Sequence, residues 1–346
     1  MLPNLYPLRF ILAVLVVIFH IPGVSQTLGY PFYKALPIFH KGHLAVLYFF
    51  SLSGFLIIRL IYLEITKSGT FDFKTFYLRR IQRLYPVYYL VFFIGLILYH
   101  VILPKLNIDR PVDYTLSDLF LYYVFLIPNV FKYYYTPGSI LNILWSIGVE
   151  EQFYLFIPPL LYFGRKNVLR MMVVLLIIAL ILLFVHVDFY KYQNYYFYFL
   201  FGGLCAIISE KYSFALLKNK MIHFLVYTAF ILSFVTNMFT YESVVLHHLV
   251  NMLISGLTIV LITYYPLFKI EHKFLNHLGK ISYGVYMYHM IVITGLFFIA
   301  DKLHLKEHLH GFSFIVLFNL VAIIVTLIVS HLSYKYFEKL FYTPRI

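Results

Sequence analysis

The feature that most constrains this chain is a series of long apolar segments that carry almost no charge. Met171 to Val187 contains no charged side chain, and Phe312 to Ser330 is similar. A helix needs about 20 apolar residues to cross the ~30 Å hydrocarbon core of a bilayer. The chain is 62% hydrophobic and only 12% charged, whereas soluble domains are about 25% charged. The sequence therefore predicts an integral membrane protein and excludes a soluble domain.

We predict an all-α, polytopic membrane helix bundle of about ten transmembrane helices, forming a single domain over residues 1–346. The predicted spans are roughly 5–23, 44–63, 85–103, 141–161, 168–187, 194–209, 221–239, 248–267, 281–300 and 312–334. The apolar stretch from Leu119 to Phe131 is too short to cross as a helix, which indicates an interfacial or re-entrant helix ended by Pro128 and Pro137. The first segment lacks a small-x-small cleavage site, so we expect a retained helix.

The distribution of basic residues predicts the orientation of the bundle. With the N-terminus in the cytoplasm, 19 of the 27 Lys and Arg residues fall on cytoplasmic segments or their flanks. This bias predicts that both termini are cytoplasmic. It also accounts for the formal net charge of +13 without a nucleic-acid partner. The single cysteine, Cys205, excludes an intramolecular disulfide.

Arg9 and His20 are ionisable residues inside the first span, where burial in lipid makes each a functional candidate. Their separation of eleven residues is three helical turns plus ~20°, so they share one helix face, ~16 Å apart along the axis. Such a face could hold a long ligand, with its anionic head on Arg9 and its reactive end at His20. The alternative is a topology anchor and an unrelated packed histidine.

Trp145 to Gln152 places two adjacent carboxylates at the start of a span. Ser146 and Glu150 are four residues apart and share a helix face. Glu150 could orient or polarise His20, as carboxylates do in other histidine-based sites. The alternative is a structural ion pair with Arg9 or another basic residue.

Arg79, Arg80 and Arg83 lie close enough in sequence to cluster at one helix end. Arginine clusters grip phosphates through bidentate hydrogen bonds. The alternative is positive-inside anchoring, which the spacing alone favours.

Two further motifs lie within predicted spans. The segment Ser51-Leu52-Ser53-Gly54-Phe55 favours close helix packing through its small residues. His289 lies three residues after Tyr286, and it either lines a polar cavity or is a hydrogen-bonded core histidine.

We interpret the histidines near residues 304–310, and His247-His248, as solvated loop residues, and we predict no metal site.

Several of these segments, taken in order, resemble a known family. They are the Arg9-x10-His20 element, GHLAVLYFFSLSGFLI from Gly42, FYLRRIQRLYPVYYL from Phe76, LWSIGVEEQFYLFIP from Leu144 and LGKISYGVYMYH from Leu278. The chain resembles acyltransferase family 3, membrane-bound O-acyltransferases whose bacterial members modify surface polysaccharides, peptidoglycan, lipid-linked sugars and macrolides. The resemblance covers nearly the whole chain.

The chain departs from the family pattern at two places. Tyr6-Pro7 stands where the family often has Asp-Gly, and Leu47 stands where it often has Asp. At position 47 the chain therefore lacks the acidic group that the family pattern often has there. Because no extracellular esterase-like domain follows the last span, the resemblance implies a stand-alone version.

The resemblance implies transfer of an acyl group, expected to be acetyl, from cytoplasmic acyl-CoA to a hydroxyl of a glycan or lipid-linked sugar. It implies a multi-pass protein of the bacterial cytoplasmic membrane that holds no permanently bound cofactor. His20 would be the catalytic residue, as general base or transient acyl carrier, and Glu150 its partner. The residues that would hold the donor's phosphates are Arg9, Arg79, Arg80 and Arg83, and the remaining cavity candidates are Ser53, Trp145, Ser146, Tyr283 and His289.

A transporter of a lipid-linked sugar or another amphiphile is the alternative from a different functional class. Transporters often contain broken helices at corresponding positions of two halves. The sequence shows no such Gly/Pro-broken pair, which favours the enzyme.

Overall fold

A computed structural model describes residues 2–108, 112–185, 195–270, 272–308 and 311–342, and these ranges contain helices and no strand. The helices are α1 (Leu5–Thr27), α2 (Gly42–Ser68), α3 (Phe73–Ile97), α4 (Leu103–Lys105), α5 (Leu116–Val124), α6 (Pro128–Tyr134), α7 (Ser139–Asn142), α8 (Trp145–Phe163), α9 (Val168–Phe184), α10 (Tyr196–Lys211), α11 (Lys220–Val235), α12 (Val244–Tyr264), α13 (Lys273–Lys280), α14 (Ser282–Lys302), α15 (Leu305–His308) and α16 (Gly311–Tyr336). The predicted all-α architecture is confirmed.

Within the described ranges, eight helical stretches are long and apolar enough to cross a membrane. They are Leu5–Thr27, Gly42–Ser68, Phe73–Lys105, Ser139–Phe163, Arg165–Phe184, Val244–Tyr264, Ser282–Lys302 and Gly311–Phe341. The other two predicted spans correspond to α10 and α11, which have 16 residues each. Both are shorter than the about 20 residues that a perpendicular crossing needs. A multi-pass membrane bundle is therefore confirmed, while the count of ten and the cytoplasmic termini stay predictions.

The segment predicted as one short helix between Leu119 and Phe131 forms two helices, so that prediction is wrong. The chain turns at Leu126, whose φ is 59°, and Pro128 then begins α6 instead of ending a helix. Proline suits the first turn of a helix because its missing N–H would have no intrahelical partner there. Pro128 packs directly against the position where Gly148 lacks a side chain in α8.

The closest helix contact in the described chain joins α2 to α10, and glycines make it possible. A Cβ atom at Gly54 would lie 2.0 Å from the carbonyl oxygen of Phe199, and one at Gly202 would lie 2.0 Å from that of Ser51. Ser51 also shares a 2.8 Å hydrogen bond with Ser255 of α12. Ser51 and Gly54 of the predicted motif therefore serve close packing, whereas Ser53 lines the cavity described below.

α1 packs against α2, α13 and α14, and α14 packs in turn against α16. α8 contacts both α2 and α6. As a result α1, α2, α3, α8 and α14, which carry all the predicted site residues, surround one internal cavity.

Candidate active site

A small cavity of about 80 Å³ lies where these five helices meet. Seven of the eleven predicted site residues line it, namely Arg9, Ser53, Arg80, Arg83, Ser146, Glu150 and Tyr283. Tyr154, Ser282 and Tyr286 complete its polar lining. Four predicted residues, His20, Arg79, Trp145 and His289, lie outside this lining. The structure therefore brings together residues that are as much as 274 positions apart in sequence.

A second cavity, of about 560 Å³, adjoins the first between α1, α2 and α3. The two cavities share Arg9, Arg80 and Arg83, together with the apolar residues Leu56 and Ile57. A volume of this size lies within the range of pockets for small molecules and cofactors. The three arginines thus stand at the junction of a wide chamber and a narrow polar one.

The arginine cluster arises from the start of α3. The Asp72 side chain caps this helix by accepting a 3.0 Å hydrogen bond from the Thr75 N–H, and Arg80 and Arg83 follow on the face that meets the cavities. Arg79 is exposed on the neighbouring face and lines neither cavity, although it shares a third pocket with Arg80. The spacing of the three arginines therefore places two of them at the cavity.

The guanidinium groups at the cavity are only partly satisfied by protein. Arg9 donates a 3.3 Å hydrogen bond from Nε to Ser282 Oγ. Nε of Arg80 is buried and has no hydrogen-bond partner among the described residues, although its guanidinium lies 5.9 Å from the ring of Tyr154. A buried donor left unpaired is costly. Three cations surround one carboxylate, and one of these cations has an unpaired N–H. This environment suits an anion.

That carboxylate is Glu150. It accepts a 2.7 Å hydrogen bond from Ser53 Oγ and a short one from the hydroxyl of Tyr154, one turn further along α8. Arg9 and Arg80 lie within electrostatic reach of it. The neighbouring Glu151 lines a different pocket, and its buried Oε1 has no partner among the described residues. Ser146 and Glu150 share the cavity face, as their spacing predicts.

His20 has a different neighbour from the one the sequence analysis expected. Its ring lies 5.0 Å from that of His289 between centroids, and the described residues contain no hydrogen bond between His20 and Glu150. His289 is fully buried, and its Nδ1 contacts the backbone oxygen of Tyr286. The ring of Tyr286 also lies 5.7 Å from that of His289. Because Tyr286 lines the small cavity, it lies between that cavity and the histidine pair.

Beyond His20 lies a group of aromatic and basic side chains that includes Trp145. Lys132 of α6 places its Nζ 4.8 Å from the centre of the Trp145 ring. Burial lowers the pKa of Lys132 to about 8. His43 contacts the rings of both Trp145 and Tyr195. Lys132 acts electrostatically on His20 and His43, which places this group beside the histidine pair.

Sequence reasoning missed some of these residues. Tyr154 could have been found, since it lies one helical turn after Glu150 and shares its face. Lys132 and His43 gave no signal, because they come from separate helices whose packing the sequence does not show. The solvated-loop interpretation of His247-His248 is wrong, because both lie in α12 and His248 contacts Tyr195.

Parts of the loop near residues 304–310 lie outside the described residues. Among the described residues, no group of His, Cys, Asp and Glu side chains could hold a metal ion.

Comparison with known proteins identifies a family that this chain matches and several related proteins. A family model described as an acyltransferase domain matches residues 7–333. The protein named "Putative acetyltransferase ORF330" of Acidianus two-tailed virus is 29% identical over 272 residues, covering 74% of this chain and 75% of the relative. "Putative peptidoglycan O-acetyltransferase YrhL" of Bacillus subtilis is 26% identical over 329 residues, covering 86% of this chain and 50% of the relative.

A third relative is "Peptidoglycan O-acetyltransferase OatA" of Listeria monocytogenes, which is 32% identical over 124 residues, or 35% of this chain and 20% of the relative. The chain thus spans three-quarters of the viral relative but half or less of these two bacterial ones. No solved structure matches the chain.

Proposed function

Because the chain belongs to the acyltransferase family whose model spans residues 7–333, and so is a membrane acyltransferase, we propose that it moves an acetyl group from acetyl-CoA to a hydroxyl. The acceptor we propose is a glycan or lipid-linked sugar, in line with relatives named peptidoglycan O-acetyltransferases. The proposed location is the bacterial cytoplasmic membrane.

The observation that carries the proposal is the group of three arginines at the junction of the two cavities. Arg9, Arg80 and Arg83 face one carboxylate, so the site retains an excess of positive charge, and a buried N–H of Arg80 lacks a partner. Phosphate oxygens satisfy such donors with charge-assisted hydrogen bonds. The phosphates of CoA would bind here, with Arg79 at the exposed margin of the same helix.

The distance from the arginines to His20 suits a long donor. Arg9 and His20 are ~16 Å apart along α1, which is of the order of an extended pantetheine arm. The small cavity extends from the arginines towards Ser146 and Tyr286, which share a 2.6 Å hydrogen bond. A thioester carried along this path would approach the histidine pair.

In the proposed reaction, His20 is the catalytic residue and serves as general base or transient acyl carrier. A neutral imidazole can accept the proton of an attacking hydroxyl near pH 7. Glu150 would take part in the reaction as the partner of His20. Its hydrogen bonds with Ser53 and Tyr154 hold its carboxylate in the cavity, near the arginines. Tyr283 and Trp145 would shape the two ends of the substrate path.

The test is CoA release from acetyl-CoA by the purified protein in liposomes, with peptidoglycan glycan fragments as acceptor. We expect His20→Ala to abolish release while the protein remains monodisperse in detergent. Arg80→Ala should raise the KM for acetyl-CoA about 10- to 100-fold, since a hydrogen bond to a charged group contributes about 1.5–3 kcal/mol, with a smaller effect on kcat.

Arg165→Ala is the matched control, because Arg165 is exposed and hydrogen-bonds the Tyr162 carbonyl outside both cavities. Unchanged release by the His20 variant would refute the role of His20. An unchanged KM for acetyl-CoA in the Arg80 variant would show that Arg80 does not bind the donor and would favour a role in membrane anchoring. If wild-type protein releases no CoA, an uptake assay for lipid-linked sugars tests the transporter alternative.

A further inference from the structure

His289 is a buried histidine whose chemistry the proposed reaction does not yet use. It lies in α14, fully excluded from solvent, and two observations define its state. Its Nδ1 faces the backbone carbonyl of Tyr286, and its Nε2 has no hydrogen-bond partner among the described residues.

The partner of Nδ1 determines where the ring proton lies. A carbonyl oxygen can only accept a hydrogen bond, so Nδ1 of His289 must carry the hydrogen. In the neutral ring Nε2 then carries a lone pair and is a hydrogen-bond acceptor. An acceptor that is buried and unpaired is costly, which points to a donor that reaches it in another state of the site.

The available donor is His20. The two ring centroids are 5.0 Å apart. Elsewhere in this structure His277 and His331 share a 2.8 Å hydrogen bond with their centroids at 4.9 Å. The His20–His289 centroid separation is thus close to that of a hydrogen-bonded imidazole pair. The bond we infer requires a rotation of the half-buried His20 ring at this separation.

We infer that His289 is the positioning residue of His20, accepting its N–H at Nε2 and so leaving the lone pair of the other His20 nitrogen directed at the substrate. This inference rests on the proposed function and gives His289 the role that the sequence analysis expected of Glu150. A base oriented by a third group is a recurrent arrangement in acyl transfer. Here the third group is a neutral imidazole.

The resulting step is balanced without an oxidant or a metal. The substrate-facing nitrogen of His20 takes the proton of the acceptor hydroxyl as its oxygen attacks the thioester carbonyl carbon. The C–O bond forms, the C–S bond breaks, and the leaving thiolate takes the proton back from His20 to become the thiol of CoA. Throughout, Nδ1 of His289 keeps its proton and donates a hydrogen bond to the Tyr286 carbonyl, while Nε2 holds the orientation of His20.

The test compares His289→Leu, which removes the acceptor, with His289→Gln, whose side-chain oxygen can replace it. We expect His289→Leu to lower kcat for acetyl transfer about 100-fold with the KM for acetyl-CoA within twofold of wild type. His289→Gln should recover at least tenfold of that loss. His223→Leu is the control, because His223 is a buried histidine of α11 that hydrogen-bonds the Leu217 carbonyl, remote from the cavities.

The outcomes separate the two proposals. Wild-type kcat in His289→Leu would overturn the inference, as would an equal loss in the Leu and Gln variants of folded protein, which is the signature of a packing role. If His289→Leu fails to fold, the kcat of His289→Gln against His289→Ala decides in the same way. A wild-type protein that releases no CoA overturns the proposed function itself, and the inference with it.

Discussion

Replacing Gly202 with alanine should separate two helices that the site depends on. The added Cβ would lie 2.0 Å from the Ser51 carbonyl oxygen and 2.8 Å from its carbon, whereas ordinary contact begins at 3.4 Å. The helices α2 and α10 must therefore move apart by about 1.4 Å, because the atoms met are backbone and cannot rotate away. A gap of 0.5–1 Å already removes about a quarter to a half of the dispersion energy of a contact.

The expected magnitude follows from two opposing effects. Overpacking costs about 1–3 kcal/mol, and the upper end applies because backbone meets backbone. Alanine in a helix gains about 1 kcal/mol over glycine, which leaves a net loss of about 2 kcal/mol. For a chain of 346 residues that corresponds to a fall in Tm of about 3 °C. A displacement of α2 would also disturb the Ser53–Glu150 hydrogen bond, so acetyl transfer should fall too.

The assay is thermal unfolding of the detergent-purified protein followed by intrinsic fluorescence, with acetyl transfer measured on the same samples. Gly295→Ala is the matched control, since a Cβ at this exposed position of α14 meets no atom within 4 Å. We expect its Tm to equal or exceed that of wild type. An unchanged Tm in Gly202→Ala, or an equal fall in both variants, would refute the close contact between α2 and α10.

Three further predictions concern charged groups. Glu150→Gln should lower kcat with little change in the KM for acetyl-CoA, because Glu150 acts in the proposed reaction. A lower KM with a wild-type kcat would instead show that Glu150 is a counter-charge for the arginines. Arg59→Leu should destabilise the protein by about 1–3 kcal/mol, because it breaks the 2.6 Å Arg59–Glu210 ion pair. The cost is smaller than that of a fully buried pair because both side chains are partly exposed. Combining Arg59→Leu with Glu210→Gln should recover part of the lost Tm. Lys132 is half-buried, and burial lowers its pKa from 10.5 to about 8. The unfolded chain therefore binds more protons between these values, and stability should rise with pH across that window by up to about 3 kcal/mol. A Lys132→Met variant whose Tm rises as steeply as that of wild type between pH 8 and 10 would contradict this.

Local sequence patterns determined most of the helices and several faces of the site. The apolar runs specify membrane helices because a spanning backbone must satisfy its hydrogen bonds within one segment. Helical spacing places Ser146 and Glu150 on one face and sends Arg80 and Arg83 to one cavity, since residues three and four apart are neighbours on a helix. These relations lie within single helices, where periodicity is sufficient.

The local pattern was misleading where one backbone torsion decides the path. The apolar stretch from Leu119 to Phe131 looks continuous, yet the left-handed conformation of Leu126 divides it into two helices. Leucine rarely adopts this conformation, so no residue type signalled the turn. The tertiary contact between Pro128 and Gly148 accompanies the second helix.

The tertiary structure decided which side chains meet across helices. His20 was expected beside Glu150, but the structure sets it against His289, which lies on another helix 269 residues later. Lys132 reaches Trp145 from a short helix that carries no motif. The sequence by itself determined most of the helices, the face that Arg9 and His20 share, and the family. The partner of each polar group depended on how the helices pack. Spacing relates residues within one helix, but it carries no information on the rotation and approach of the neighbouring helices.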